Sequence, residues 1–96
     1  MTIYFTPTAQ KKLELIWNYL KVEFGEKAAH TFQEKTSKFL NTVSEFPEIG
    51  ISEVPEKNIR SYLITSKTRV FYRIKGSRIL ILTFFDVRQN PLKKPR

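Results

Sequence analysis

Six arginines fall in the second part of this 96-residue chain, at Arg60, Arg69, Arg73, Arg78, Arg88 and Arg96, and the first part has none. A guanidinium group holds phosphates and carboxylates through paired hydrogen bonds, so the cluster points to an anionic partner. The charge balance agrees. Residues 1–56 hold six lysines and eight glutamates, a net −2, whereas residues 57–96 hold eleven lysines and arginines and one aspartate, a net +10. Nucleic acid, an acidic protein and an anionic membrane surface each fit this asymmetry. A merely soluble basic domain is the plain alternative.

Individual positions refine the chemistry. Arg69, Phe71, Arg73 and Lys75 alternate along one strand and share a face. Cation and stacking surface alternate this way in RNA-binding sheets, although a solvated face reads the same. Tyr72 shares the opposite face with Val70 and Ile74 and reads as core. Arg60 reads either as a glutamate's partner or as part of the basic cluster. Asp86 and Arg88, two residues apart, read first as a salt bridge or turn clamp. His30 is the only histidine and has no second ligand near it. With no cysteine in the chain, neither a metal nor a cofactor is expected.

These side chains must be positioned by the elements around them. "TIYF" (Thr2–Phe5) is a short β-branched and aromatic run, read as a strand. Thr6-Pro7 opens a helix as N-cap and first helical residue. Ala9, Leu13, Ile16, Leu20 and Phe24 give that helix one apolar stripe, and Gly25 ends it. A second helix spans about Glu26 to Phe46, with Ala29, Phe32, Thr36, Phe39, Leu40, Val43 and Phe46 on its stripe. Pro47–Lys57 reads as a loop. Three strands come next, at Asn58–Thr65, Thr68–Lys75 and Arg78–Asp86. Gly76-Ser77 makes a good two-residue hairpin turn and Ser66-Lys67 a poorer one. The last strand is apolar on both faces and therefore central. The tail from Gln89 to Arg96 reads as loosely held.

The chain is thus one domain, residues 1–96, of the α+β class, in the order β-α-α-β-β-β. An antiparallel sheet packs one face on a helical hairpin, and the N-terminal strand pairs at an edge. There is no long apolar run for a membrane span and no signal-peptide pattern at the start. Together with the absence of cysteine, this predicts a cytoplasmic protein.

Element order and local motifs together resemble the RelE/ParE family of bacterial type II toxins. "FTPTAQKKLELIWNYL" is similar to that family's opening strand and first helix. "NIRSYLI" is similar to the strand that bears its characteristic arginine, here Arg60. "TRVFYRIKGSRILILTFFDVRQNP" is similar to its closing hairpin, in which a His/Asp-x-Arg-x-x-Pro segment comes after the last strand. The resemblance covers nearly the whole chain. It implies a growth-inhibiting toxin neutralised by a cognate antitoxin protein. It also implies one of two targets, because RelE-like members cut mRNA in the ribosome whereas ParE-like members act on DNA gyrase.

The site residues bear on that choice. Metal-free RNA cleavage needs a base, an acid and cations for the developing charge. Lys57, Arg60, Arg69 and Arg73 are candidate cations, with Asp86 a candidate base. Where many members of the family carry a histidine, this chain has Phe85-Asp86, and neither Tyr nor His comes after it. A carboxylate beside Arg88 stays ionised and is a poor acid. The resemblance therefore favours a ParE-like, non-catalytic inhibitor that binds its target or antitoxin through Arg60, Arg69, Arg73 and Arg88. A RelE-like mRNA endonuclease is the alternative, and a non-toxic nucleic-acid binder the third reading.

Overall fold

A computed structural model describes residues 1–89. The expectation of a loosely held tail lies, from Asn90 on, outside the described residues, as does the proline of the His/Asp-x-Arg-x-x-Pro segment, Pro91. Seven elements run in order: β1 (Thr2–Phe5), α1 (Pro7–Phe24), α2 (Glu26–Glu45), β2 (Ile51–Val54), β3 (Ile59–Leu63), β4 (Thr68–Lys75) and β5 (Arg78–Asp86). Short 3-10 turns stand at Pro47–Ile49, Pro55–Lys57 and Val87–Gln89. The five strands form one sheet in the order β1-β5-β4-β3-β2, and both helices cover one of its faces.

Two details of the expected architecture change. The segment 47–57 is not all loop, because Ile51–Val54 pairs antiparallel with β3 as an edge strand. Its first three residues are exposed, so no buried alternation marks it in the sequence. The sheet is also mixed, since β1 runs parallel to β5 while the other pairings are antiparallel. β5 is internal, between β1 and β4, which accounts for its apolar residues on both faces.

The helices start and stop for local reasons. Thr6 caps α1, its hydroxyl accepting from the Ala9 amide at 3.0 Å, and Pro7 takes the first helical position. Gly25, at φ 97°, ends α1 and begins α2 in a single residue, a backbone state few other residues adopt. The core joins Ala9, Ile16 and Leu20 of α1 to Ala29, Phe32, Phe39 and Val43 of α2 and to Val70, Tyr72, Ile79, Ile81 and Phe84 of the sheet. The ends of the two expected stripes fall outside it. Phe24, the last residue of α1, is 57% exposed, and Phe46, just beyond the end of α2, is 61% exposed.

An irregularity in β5 decides which way the end of that strand faces. Phe71 pairs with Thr83 and Tyr72 with Ile81, so Leu82 is an extra residue, a β-bulge. Before the bulge, Ile79 and Ile81 point to the helices. After it, the alternation is shifted by one, and Phe84 and Asp86 point there instead. Thr6 secures this point, since its hydroxyl donates to the Leu82 carbonyl at 2.8 Å and its amide to the Ile81 carbonyl at 3.0 Å. The residue that starts α1 thus also satisfies the bulge.

Candidate functional site

The sheet face away from the helices carries rows of cross-strand neighbours. Leu63, Arg69 and Phe85 form one row; Ile51, Ser61, Phe71 and Thr83 the next; Ile59, Arg73, Leu80 and Tyr4 a third; and Lys75, Arg78 and Thr2 the last. Residues directly opposite one another share a face, so the register places all these side chains together. Tyr4, Ile51, Leu63 and Phe85 are exposed apolar or aromatic residues on this face. Arg78 stands over the Tyr4 ring at 5.8 Å, a cation–π distance.

The face is positively charged. Among the described residues Asp86–Arg88 is an ion pair and His30 lies 3.3 Å from Glu34, so Arg69, Arg73, Lys75 and Arg78 have no direct carboxylate partner there. Lys75 and Arg78 lie directly opposite each other, an arrangement that costs stability. Arg69 is the most constrained of the four. Its Nη1 donates to Ser61 Oγ at 2.7 Å, and that hydroxyl in turn donates to Glu53. This chain of bonds fixes one edge of the guanidinium above a fully buried serine.

The other residues singled out in the sequence lie elsewhere. Arg60 pairs with Tyr72 and Ser52, on the helix-covered face. Its Nη1 donates to the Gly50 carbonyl at 2.7 Å and to the Glu48 carbonyl at 3.4 Å. Beside it the Tyr72 hydroxyl donates to the Pro47 carbonyl at 2.7 Å and accepts from the Gly50 amide at 2.9 Å. Burial pushes the Tyr72 hydroxyl up, and the Gly50 amide and the Arg60 charge only partly offset this. Arg60 and Tyr72 together hold the corner between α2 and β2. Gly50 is required there by close approach, because a Cβ would stand 2.6 Å from the Ser61 carbonyl and 2.7 Å from the Tyr72 hydroxyl. Lys57 is exposed at the end of the turn before β3.

Asp86 and Arg88 form a clamp on the helix side. Arg88 Nε and Nη2 meet the two Asp86 oxygens at 2.9 and 2.7 Å, the Arg88 amide donates to Oδ1 at 2.9 Å, and the Thr68 hydroxyl donates to Oδ2. Asp86 is 3% exposed. Burial works against its charge, but the bonds from Arg88 and Thr68 outweigh it and hold the carboxyl below its usual range. Asp86 in turn raises Arg88. The Arg88 guanidinium lies over Phe24 at 5.8 Å, so the clamp ties the end of β5 to the β3–β4 turn and to the end of α1.

The structure therefore brings Arg69 and Arg73 together with Lys75 and Arg78, and it places Arg60, Asp86 and Arg88 across the sheet from them. The sequence does not single out Arg78 and Tyr4 as site residues, since only the parallel pairing of β1 with β5 joins them. The position of Asp86 depends on the bulge, which strict alternation does not reveal.

The family model described as "ParE toxin of type II toxin-antitoxin system, parDE" matches residues 3–91. Among solved structures, the chain is similar to the chromosomal ParDE TA system from P. aeruginosa, at 23% identity and a TM-score of 0.64, over 91% of this chain and 96% of that one. It is also similar to the YoeB/ParE toxin from Agrobacterium tumefaciens, at 16% identity and a TM-score of 0.63, over 90% and 98%. A YoeB dimer from Staphylococcus aureus shows 16% identity and a TM-score of 0.61, over 88% and 94%. No curated protein sequence matches the chain significantly. At these identities the structures speak for the fold, whereas the family model runs through both helices and reaches all five strands, and the chain belongs to the ParE toxin family of type II toxin–antitoxin systems.

Proposed function

We propose that this protein is a growth inhibitor of the ParE kind, which blocks DNA gyrase by binding and is neutralised by a cognate antitoxin. The observation that carries the reading is the state of Asp86. This residue is the candidate base, yet its carboxylate is buried, ionised and occupied by four hydrogen bonds, on the face away from Arg69 and Arg73. Metal-free RNA cleavage needs a proton acceptor within reach of the cations that hold the phosphate. The open face offers cations, hydroxyls and aromatic rings, which suit binding better than proton transfer.

The same face suits an antitoxin segment. A YoeB–YefM complex from Staphylococcus aureus is among the similar structures, and by analogy this toxin is held by a protein partner. The row Leu63–Arg69–Phe85 sets a cation with no direct carboxylate partner among the described residues between two apolar side chains, which fits a segment with acidic residues beside apolar anchors.

The deciding experiment induces the protein in cells and tracks two readouts together: gyrase-dependent DNA damage, and mRNA cleavage within stalled ribosomes. Double-strand breaks with intact message are expected. Rapid codon-biased mRNA cuts with intact DNA would overturn the gyrase reading in favour of a ribosome-dependent endonuclease.

A further inference from the structure

A second basic feature lies away from the open sheet face. Where the α1–α2 turn meets the β3–β4 turn, a cleft of about 290 Å³ opens between Thr31 of α2, the turn residues Thr65, Ser66 and Lys67, and Arg88. Leu20 and Phe32 contribute apolar wall. Among the described residues no carboxylate lines it. We propose that this cleft binds a phosphate group.

The donors still free in the cleft decide what it can hold. Arg88 spends Nε and Nη2 on Asp86 and lies over Phe24, so its plane is fixed on one edge and one face. Its Nη1 has no hydrogen-bond partner among the described residues. Lys67 is fixed through its backbone: its amide donates to Thr65 Oγ1 at 3.1 Å, and its carbonyl accepts from the Val87 amide at 3.0 Å. Its ammonium has no carboxylate partner among the described residues. Thr65 Oγ1 accepts from the Lys67 and Thr68 amides, which leaves its own proton to donate outward. Thr31 and Ser66 add two more hydroxyls without partners among the described residues.

A phosphate monoester presents only acceptors and a charge between −1.5 and −2 at about neutral pH. Two cationic and three hydroxyl residues line the cleft, and among the described residues the acceptor-only group in contact with them is Asp86, which takes one edge of Arg88 and leaves Nη1 over. On the same stripe of α2, Lys27 and Lys35 lie one turn to either side of Thr31, and Glu34, also one turn on, is drawn toward His30 at 3.3 Å. Arg88 is held in advance by Asp86, which lowers the cost of ordering it around a ligand. The phosphate has two possible sources: a small ester such as a nucleotide, or the backbone of a nucleic acid.

The test is an amide-resolved NMR titration of the full chain with inorganic phosphate, with chloride at matched ionic strength as the control. Saturable shifts confined to Thr31, Thr65, Ser66, Lys67 and Arg88 are expected. Lys67→Ala removes a charge-assisted contact from an exposed turn and is expected to weaken binding by about tenfold or more. Ser66→Ala is expected to weaken it less. Both variants leave the Asp86–Arg88 clamp in place, so the fold persists. Shifts that do not saturate, that spread over the whole basic surface, or that are unchanged in Lys67→Ala would overturn the proposal. Adenosine monophosphate and a short oligothymidylate then separate the sources. An oligonucleotide affinity that falls in Lys67→Ala marks the nucleic-acid backbone, whereas tighter binding of the mononucleotide with an insensitive oligonucleotide marks a small ester. Neither outcome bears on the gyrase assay, so the two readings fail independently.

Discussion

Asp86 shows how burial and hydrogen bonding settle what a side chain can do. In the sequence it is the lone acid of a basic half; in the structure it is an acceptor with no capacity left over. Its folded pKa lies below the unfolded value of about 3.9. Its contribution to stability is therefore present above about pH 4 and is lost as the pH falls through the folded value, since the unfolded state then binds the extra proton. Asp86→Asn should lower stability by about 2–4 kcal/mol near neutral pH, because Arg88 is left partly buried without its counter-ion. Thermal melts between mild and strongly acidic pH check this: the variant should show a flatter acid limb than the parent. The corner between α2 and β2 supports a second residue-level prediction. Tyr72→Phe strands the Pro47 carbonyl and the Gly50 amide and should cost about 1–3 kcal/mol in urea unfolding. Gly50→Ala should cost more than an ordinary surface change, since the nearest obstacle is the backbone carbonyl of Ser61. Arg60→Ala should loosen the same corner while leaving the salt dependence of antitoxin binding unchanged, because its guanidinium serves two backbone carbonyls across the sheet from the open face.

At the scale of elements, Thr6 does two jobs, capping α1 and binding the bulge carbonyl. Thr6→Ala should therefore cost about 1–2 kcal/mol for the cap and a further amount for the unpaired Leu82 carbonyl. Thr6→Ser should recover most of both in the same denaturation series. Both helices, β1, β3, β4 and β5 are legible from periodicity, capping and turn residues, because their patterns come from burying one face. β2 is not, since an exposed edge strand buries too little to leave a pattern. The parallel pairing of β1 is not legible either, as nothing local distinguishes the two directions. For the site, Arg69 and Arg73 could be placed on one face from alternation alone. Arg60 and Asp86 could not be assigned to a side of the sheet, because this depends on pairing partners and on a bulge that only the folded sheet defines.

The whole molecule divides its charge between two surfaces with different geometry. The open sheet face is broad and mixes exposed apolar residues with cations, whereas the cleft beside the β3–β4 turn is small and hydroxyl-rich. Arg69→Ala combined with Arg73→Ala should weaken antitoxin binding and flatten its dependence on salt, measured by calorimetry across an ionic-strength series. Lys67→Ala should leave that series unchanged. The bulge at Leu82 makes the facing of the strand end sensitive to length. A strand that changes face at one inserted residue can bring the side chain at its end into the basic surface, or withdraw it, by losing or gaining that residue. In this chain, deleting the one inserted residue would turn Asp86 toward the open face and Phe85 toward the helices, without any change to the acid or the arginines themselves.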